Sequence, residues 1–389
     1  MSTPSFTTML GREWRQLFTD PWLCSLITWI PLSLGFLLWS VFAQGLARDL
    51  PVGVVDLDKS PISRAVLHNF DASPTLQVLR SYPDVSQGSA DLRAGVIYAL
   101  IVVPENLGKN TTLGVAPEIT AFVNSQFLLI GKSINSALLQ AMGTFSVKVE
   151  VKKNLVMGQS VSSSALSSAI PIGTQSTALF NVNTNYAQFL ISAILPAMWQ
   201  ILIVALTVLS FAREKRRTGL QSWLGEQPIK AAMAKFLPLI TISWLHGLLF
   251  LWAMYIALGW PMHGDWSVLV VALFLTSCAS VVVGALFFLV TRDAARGLSL
   301  AAAYSAPGLA FMGVTFPVTD MTLPAKVWRS LIPVSHYIEI QFSQVNYGAS
   351  PLLLLPQFKA LGLFFGLYLV AFMVVKMIAN PMKTAGESV

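Results

Sequence analysis

The spacing of its long apolar segments constrains this chain most, because a helix needs roughly 20 apolar residues to cross a hydrocarbon core. A more polar stretch of about 140 residues separates the first such segment from the second, and the others crowd the C-terminal half. None alternates in polarity as barrel strands do, so the segments indicate helices. The sequence therefore predicts an α-helical polytopic membrane protein with six transmembrane helices. The predicted spans are Trp22–Gly45, Phe189–Ala212, Phe236–Trp260, Trp266–Thr291, Leu298–Phe316 and Ala360–Val375.

The positions of the basic residues predict how these spans are oriented, since short cytoplasmic loops carry an excess of Lys and Arg. With the N-terminus inside, the inner short segments hold twelve basic residues and the outer ones hold three, Lys326, Arg329 and Lys359. We expect a multi-pass protein of the bacterial inner membrane with both termini in the cytoplasm. The net charge of +7 largely reflects this bias. Because the basic residues flank spans and form no aromatic-basic face, no nucleic-acid partner is expected.

Residues 1–20 predict a cytoplasmic interfacial helix that precedes the first transmembrane helix at residues 21–45. Apolar residues between Phe6 and Phe18 recur at helical spacing, with charged residues between them. Asp20 and Pro21 then break the pattern. Such a helix lies at the membrane surface with its aromatic side chains toward the lipid, so membrane lipids are expected partners.

The insert, residues 46–185, predicts an extracytoplasmic α/β domain that includes a long helix. Strands are predicted at Val52–Leu57, Leu76–Leu79, Ala99–Val103 and Glu118–Val123. Helices are predicted from Pro61 toward Phe70, over Gly88–Ala94 and from Gln126 to about Leu155. The alternation of strands and helices is typical of a layered α/β domain. The chain's two cysteines, Cys24 and Cys278, both lie in predicted spans, so the insert has no disulfide framework.

Residues 186–389 are predicted to contain transmembrane helices 2–6 and two irregular segments. The first is a basic cytoplasmic segment, 213–235, which contains Gly219 and Gly225. The second is an outer region, 313–356, in which proline lies among apolar residues. Irregular backbone at membrane depth is tolerated only inside protein or beside a wet cavity. This pattern therefore predicts helices that stop short and turn back.

No sequence motif indicates chemistry carried out by the chain itself. Gly131-Lys132-Ser133 resembles the end of a phosphate-binding loop, but that motif needs a glycine at position 126, which is Gln126. The four histidines lack the spacing of metal ligands, so no metal site is expected. His246, inside a predicted span, has two open interpretations: it faces a cavity, or it is a neutral side chain bonded to a neighbouring helix. No catalytic residue and no cofactor bound by this chain are predicted.

Several motifs together resemble the ABC-2-type permease family, the membrane subunits of ABC exporters, in the subgroup with a large external domain after the first helix. The similar segments, in chain order, are Leu10-Gly11-Arg12-Glu13-Trp14, Val54-Val55-Asp56-Leu57-Asp58, Asn183-Thr184-Asn185-Tyr186, Arg213-Glu214-Lys215-Arg216-Arg217-Thr218-Gly219, Gly313…Phe316-Pro317 and Pro333…His336-Tyr337. No single motif is specific, but the ordered set covers nearly the whole chain.

The resemblance implies a transport subunit that works as a homo- or heterodimer with a separate ABC ATPase subunit, which binds the ATP and magnesium. It also implies export of a hydrophobic or amphipathic substrate and allows for a periplasmic adaptor protein. Segment 213–235 and the N-terminal helix would contact the ATPase, with Trp223 and Leu224 filling a groove and Glu214 pairing with a basic group or capping a helix. The coupling residues so implied are Arg12, Glu13, Arg213, Glu214, Arg217, Gly219 and Trp223.

The resemblance also implies a substrate path between two permease chains, near the second and fifth spans. The residues expected along this path or its gate are Phe189, Trp199, His246, Phe311, Phe316, Pro317, His336 and Tyr337.

Two other functions are alternatives to export, a membrane receptor and an integral membrane enzyme. A membrane receptor or sensor would bind a ligand with the external domain, but such proteins normally use one or two spans rather than six. An integral membrane enzyme would need a nucleophile and a base in reach of each other. Ser243 and His246 lie three residues apart on one predicted helix, a spacing that many spans contain by chance.

Overall fold

The computed structural model describes residues 4–43, 48–113, 117–156, 185–314 and 316–380. Residues 157–184, at the end of the predicted insert, lie outside the described residues. The chain forms two compact units. The helical unit comprises Met1–Gly45 and Leu179–Val389, and the α/β unit comprises Leu46–Ala178.

Three helices open the helical unit: α1 (Phe6–Thr19), α2 (Pro21–Ile27) and α3 (Trp29–Phe42). The side chain of Ser5 accepts a hydrogen bond from the amide of Thr8 and so caps α1. Asp20 separates α1 from α2 and caps α2 by accepting hydrogen bonds from two amides of its first turn. The predicted N-terminal helix is present, and it ends at the predicted Asp20-Pro21 break.

The α/β unit is built on a four-stranded sheet. Its elements are β1 (Leu50–Asp56), α4 (Pro61–Asp71), β2 (Leu76–Tyr82), α5 (Val85–Arg93), β3 (Ala99–Val103), α6 (Leu107–Leu113), β4 (Thr120–Val123) and α7 (Leu128–Val156). The strand order is β2-β1-β3-β4. Strand β1 is parallel to β2 and β3, and β4 is antiparallel to β3. The four predicted strands and three predicted helices are all present, whereas the short helix α6 was not predicted.

Both faces of the central strands β1 and β3 are buried, as is usual when helices connect parallel strands, whereas the edge strands β2 and β4 are more exposed. On one face, Val52, Val54 and Ile101 pack in a cluster with residues of α4 and α7, including Phe70 and Ile134. On the other face, a smaller cluster contains Val55, Tyr82, Ile97 and Leu100. The near-continuous apolar runs of β1 and β3 follow from this two-sided burial.

The rest of the helical unit contains ten helices within the described residues. They are α8 (Tyr186–Arg217), α9 (Leu220–Leu224), α10 (Pro228–Trp252), α11 (Trp266–Thr291), α12 (Ala294–Ser305), α13 (Gly308–Phe311), α14 (Leu323–Ser330), α15 (Pro333–Tyr347), α16 (Leu355–Leu363) and α17 (Gly366–Ala379). Helix α10 continues as one π-helical turn, Ala253–Ala257. Short 3-10 turns lie at Val318–Asp320 and Pro351–Leu354.

Five helical segments among the described residues are long and apolar enough to cross a membrane: Pro21–Phe42, Ala187–Arg217, Pro228–Ala257, Trp266–Thr291 and Pro351–Ala379. They agree with five of the six predicted spans, and the last is longer than expected. The remaining predicted span, Leu298–Phe316, is divided between α12 and α13. Pro307 lies between these helices, where its ring and missing N–H disfavour a continuous helix. A sixth transmembrane helix therefore stays a prediction.

Helix α11 lies at the centre of the helical unit. Of its most apolar stretch 78% is buried, against 11% for Pro21–Phe42. Small residues allow neighbouring helices to approach α11 closely. A Cβ atom on Gly284 would lie only 2.9 Å from the Val204 carbonyl oxygen and from the Thr207 Cβ of α8. Glycine is therefore required where the α8 and α11 backbones meet.

Candidate functional site

A cluster of buried charges joins four helices of the helical unit. We call Glu13 of α1, Glu214 of α8 and Lys235 of α10 the buried ion cluster. Lys235 Nζ lies 2.6 Å from Glu13 Oε2 and 3.1 Å from Glu214 Oε1. Each of the three residues is at most 3% exposed. Trp223 of α9 donates a hydrogen bond from its indole nitrogen to Glu13 Oε1 over 3.1 Å.

The charges of this cluster are compensated by their immediate neighbours. Two carboxylates face one ammonium group, and Arg12 provides a second positive charge 2.8 Å from Glu13 Oε1. Burial raises the pKa of Glu13, but the charge and hydrogen bonds of Lys235, with hydrogen bonds from Arg12 and Trp223, lower it by more. The pKa of Glu13 therefore lies below its ordinary value of 4.5. Glu13 is ionised at neutral pH, which keeps the cluster intact.

Arg213 fixes the end of α1 to α8 through a second set of polar contacts. Its Nε lies 3.0 Å from Asp20 Oδ2. Its two terminal nitrogens donate to the Gln16 carbonyl oxygen over 2.8 Å and to Thr19 Oγ1 over 3.4 Å. Carbonyl groups in the last turn of a helix lack partners within that helix. Arg213 therefore satisfies the C-terminal end of α1 and holds it beside α8.

The short helix α9 lies between two glycines whose backbone suits few other residues. Gly219, before α9, has φ of 80° and ψ of 147°, and Gly225, after it, has φ of 53°. Such angles are strongly disfavoured for residues that carry a Cβ atom. These turns let α9 fold back so that Trp223 packs edge-on against Phe211 of α8, with ring centroids 5.6 Å apart.

This packing corrects the expectation that Trp223 and Leu224 fill a groove of the partner. Their exposed fractions are 4% and 1%, and both belong to the chain's own core. The apolar edge of α9 turns inward because its own chain provides the apolar surface that buries it. The side chains left exposed around α9 are polar or charged, and most of the charged ones are basic: Lys215, Arg216, Arg217, Thr218, Gln221, Ser222 and Glu226.

The structure therefore brings together most of the predicted coupling residues. Arg12, Glu13, Glu214 and Trp223 meet around Lys235, while Arg217 is exposed and outside the cluster. Lys235 was not among the predicted coupling residues and entered only the charge bias that predicts topology. Its position directly before the predicted span at Phe236 was a usable signal, since a charge at the edge of a span needs a partner or water.

Two predicted path residues, Trp199 and Tyr337, are core residues in this structure. Both are 1% exposed, and their ring centroids are 6.1 Å apart. The Trp199 indole nitrogen donates to the Ser243 carbonyl oxygen over 3.0 Å. They do not line a path in this arrangement because α8, α10 and α15 pack closely around them.

His246 forms a hydrogen bond with a neighbouring helix, in agreement with the second of its two interpretations. Its Nε2 lies 2.9 Å from the Ile27 carbonyl oxygen, which can only accept, so Nε2 carries the proton. In a continuous helix the amide of residue 31 would bond this carbonyl, but residue 31 is proline and has no N–H. His246 thus satisfies a backbone group freed by Pro31, and this pairing could have been anticipated from the proline.

Four other predicted path residues lie in two parts of the chain. Phe311 ends α13, Phe316 is 51% exposed, and Pro317 precedes a 3-10 turn. Phe189 lines a cavity of about 180 Å³ at the beginning of α8. The roles of these residues in a substrate path between two chains stay a prediction.

His336 belongs to a polar network that joins α14, α15 and α16. Its Nδ1 lies 2.7 Å from Gln357 Oε1, and its Nε2 lies 3.1 Å from the Ser330 carbonyl oxygen. Gln357 Nε2 donates to Glu339 Oε1 over 2.6 Å, and Glu339 pairs with Arg329. His336 is 4% exposed, so in this structure it supports the corner between these helices.

Within the part of the chain that the structure describes, no group of three or more His, Cys, Asp or Glu side chains could hold a metal ion. The polar groups of the buried ion cluster bond one another. This arrangement is suited to holding helices together and transmitting movement between them.

Comparison with known proteins identifies the family. A family model described as "ABC-2 family transporter protein" matches residues 21–374, which is most of the chain. No curated protein matches the chain in a direct comparison. Members of this family are transmembrane subunits that generally lack an ATPase site of their own and work with an ABC ATPase subunit. The chain therefore belongs to the ABC-2 family of transporter proteins, as a multi-pass membrane permease of an ABC transporter.

Proposed function

We propose that this chain is the permease subunit of an ATP-driven exporter, in which α1 and segment 213–235 receive the movement of a separate ATPase subunit. The buried ion cluster is the observation that carries this proposal. It joins the N-terminal helix, the short helix α9 and two candidate transmembrane helices through groups that are at most 4% exposed.

The ion pairs and the hydrogen bond between these helices explain how a force on α9 would reach the membrane. Breaking a buried ion pair by removing one partner costs about 3–5 kcal/mol, because the remaining charge is left unpaired. Helices α1, α8, α9 and α10 should therefore move together rather than slide past one another. Helix α8 extends 22 residues from Ser192 to Glu214, which is about 33 Å at 1.5 Å per residue. Movement at one end is thus carried across a distance comparable to the thickness of a bilayer.

The exposed basic residues around α9 would provide the contact surface for the ATPase. Arg216 and Arg217 are exposed at the end of α8, next to the polar face of α9. Lys215 donates to the Arg292 carbonyl oxygen over 2.6 Å, which ties the same corner to the end of α11. We expect the partner to present acidic side chains here, because exposed charges steer association toward the opposite charge.

The remaining parts of the proposal come from the family and from the charge bias. The chain would lie in the bacterial inner membrane with both termini in the cytoplasm and the α/β unit outside. Two permease chains would pair, and the transported molecule would be hydrophobic or amphipathic. The α/β unit could contact a periplasmic adaptor. No described feature favours the receptor alternative.

ATP hydrolysis by the cognate ATPase, alone and with this chain in lipid nanodiscs, tests the coupling surface. We expect the wild-type chain to change hydrolysis several-fold and the double substitution Arg216→Glu, Arg217→Glu to abolish that change. Lys359→Glu is a matched control, because it reverses an exposed charge on α16 at the predicted opposite membrane face. Equal loss with the control, or no loss with the double variant, would contradict a coupling surface at α9.

Cysteine labelling tests the orientation separately. In a chain with Cys24 and Cys278 replaced by alanine, exposed Ser222 or exposed Ser86 is changed to cysteine. A membrane-impermeant maleimide added outside intact cells should label Ser86→Cys and spare Ser222→Cys. The opposite pattern would place the α/β unit in the cytoplasm and overturn the proposed topology.

A further inference from the structure

A cavity of about 180 Å³ lies within one chain, between the first turns of α8, the π-helical turn after α10, and α15. It is lined by amide, hydroxyl and apolar side chains, including Gln188, Phe189 and Phe342. A dry apolar cavity of about 150 Å³ can hold benzene. A cavity of this size therefore accepts one end of a molecule rather than the whole of a drug-sized one.

One residue that lines this cavity, Gln341, has an enclosed polar atom without a hydrogen-bond partner among the described residues. Gln341 is completely buried, and its Nε2 donates to the Ser192 carbonyl oxygen and to the Tyr255 hydroxyl, both over 3.0 Å. Its Oε1 has no partner among the described residues. Reversing the amide would place an oxygen against the Ser192 carbonyl oxygen, so the orientation is fixed. An unsatisfied buried acceptor costs about 1–3 kcal/mol, which a ligand that donates a hydrogen bond would recover.

The backbone beside the cavity is also unusual. Tyr255 lies in the π-helical turn Ala253–Ala257. Single π-helical turns within α-helices are rare and frequent at functional sites, because they redirect side chains at the expense of regular hydrogen bonding. Here the turn places the Tyr255 hydroxyl within hydrogen-bond distance of Gln341.

The lining side chains include no Lys, Arg, His, Asp or Glu. A charged ligand group would therefore lose its hydration without gaining a counter-charge, which is strongly unfavourable. We infer that this cavity binds the uncharged polar end of an amphipathic molecule, and that a small shift of the enclosed Gln341 side chain lets a hydroxyl or amide N–H of that molecule donate a hydrogen bond to Oε1.

Of the residues that line this cavity, only Phe189 was predicted to lie along the substrate path. The identification of the bound molecule as cargo rests on the proposed transport function. Binding itself does not, because the site is complete without the ATPase. A hydroxyl-bearing lipid and a transported amphiphile share the same recognition chemistry.

Photolabelling of the full chain in nanodiscs tests the site. The probe is decanol with a diazirine close to the hydroxyl, compared with the decanoate and decylammonium probes of the same design. We expect the alcohol to label the peptides that contain Ser192 and Gln341, unlabelled decanol to compete, and the two charged probes to label them less. Gln341→Met should lower the labelling about fivefold, the equivalent of one net hydrogen bond.

Two further variants separate loss of the site from loss of the fold. Ser192→Leu fills the cavity from α8 and leaves the Ser192 carbonyl, to which Gln341 donates, in place. Ser335→Ala removes an unpartnered buried hydroxyl on the same helix as Gln341 but outside the cavity, and should label like the wild type. Equal labelling of the wild type and both cavity variants, or equal labelling by all three probes, would overturn the inference and indicate a cavity filled by water.

The same preparation distinguishes cargo from resident lipid and keeps this inference separate from the proposed function. With the ATPase present, an ATP-dependent fall in alcohol labelling would identify the bound chemistry as cargo, and unchanged labelling would identify it as a resident lipid. Both results support a site at Gln341. A chain that labels as expected but does not change ATP hydrolysis would contradict the proposed coupling and leave the site standing.

Discussion

The two ends of the helix pair α8 and α10 are built from different chemistry. At one end, Glu214 and Lys235 form the buried ion cluster with Glu13 of α1. At the other end, Ser192 and Tyr255 meet Gln341, and the residues that line the cavity there include no acidic or basic side chain. Both ends bury polar groups, but the charged groups pair with one another, whereas Gln341 Oε1 has no partner among the described residues.

The two ends of this helix pair should therefore differ in rigidity. A buried ion pair loses several kcal/mol when a partner is removed, so it tolerates little separation of the helices. A neutral hydrogen bond contributes only about 0.5–1.5 kcal/mol. An acceptor without a partner can also accept a hydrogen bond from another molecule. The charged end is suited to transmitting force, and the neutral end is suited to exchanging partners.

Replacing Lys235 should have the largest effect on this comparison. Lys235→Met leaves Glu13 and Glu214 buried against each other without their common cation, at a cost of about 3–5 kcal/mol. We expect a large fall in the unfolding temperature and faster proteolysis after α1, measured in detergent or nanodiscs. Lys230→Met, an exposed position on the same helix, is the control and should change little. A wild-type melting curve for Lys235→Met would show that the cluster does not hold these helices together.

Acid should destabilise the charged end and not the neutral end, because it protonates Glu13 of the buried ion cluster. We expect a smaller effect than that of Lys235→Met. Because the pKa of Glu13 in the folded chain lies below 4.5, its contribution to stability is complete above that value and is lost as the pH falls through the folded pKa. The difference in unfolding temperature between wild type and Glu13→Gln should therefore be greatest near neutral pH and shrink in acid. Glu226→Gln, an exposed acidic position after α9, provides the reference. If this difference in unfolding temperature instead increased as the pH falls, an ionised Glu13 would not stabilise the fold, which would contradict the ion pair with Lys235.

Gly219→Ala tests whether the backbone turn before α9 is needed to hold Trp223 in the charged end. The φ of 80° and ψ of 147° at this position cost a residue with a Cβ atom about 1–3 kcal/mol. No atom lies within 4 Å of a Cβ built there, so the cost is conformational rather than steric. Gly11→Ala on α1 is the matched control, because it also has open space but lies in a helix, where alanine gains about 0.5–1 kcal/mol. We expect opposite signs in unfolding measurements; the same sign for both would contradict the role of the Gly219 turn.

The smallest effect is expected at the neutral end. Tyr255→Phe removes one neutral hydrogen bond to Gln341 and should cost about 1 kcal/mol in unfolding measurements. Ser335→Ala, which removes a hydroxyl without a partner, should be neutral or slightly stabilising. A loss at Tyr255 as large as that of Lys235→Met would remove the distinction between the two ends.

Much of the fold follows from local patterns in the sequence. The four strands and the long helix of the α/β unit were predicted, because apolar periodicity over several residues reports which face is buried. The N-terminal helix and its end at Asp20 were predicted as well. By contrast, the division of Leu298–Phe316 between α12 and α13 was not predicted, since composition measures how apolar a segment is and not whether proline interrupts it.

The candidate site shows the same limit. The motif that contains Glu214 and the one that contains Glu13 were both singled out, but nothing local connects two residues about 200 positions apart with Lys235. Similarly, Trp223 was predicted to fill a groove of the ATPase, whereas in the folded chain it packs against Phe211 and donates a hydrogen bond to Glu13.

The length and apolarity of the segments were enough to predict a polytopic membrane protein with an α/β insert, because these are local properties and a bilayer requires both of any helix that spans it. Two other features became visible in the folded chain alone: Lys235 bridges two carboxylates, and Gln341, which lines a cavity, has an acceptor without a partner among the described residues. Pairing and burial depend on side chains from distant helices. They arise when those helices pack, and no local pattern records them.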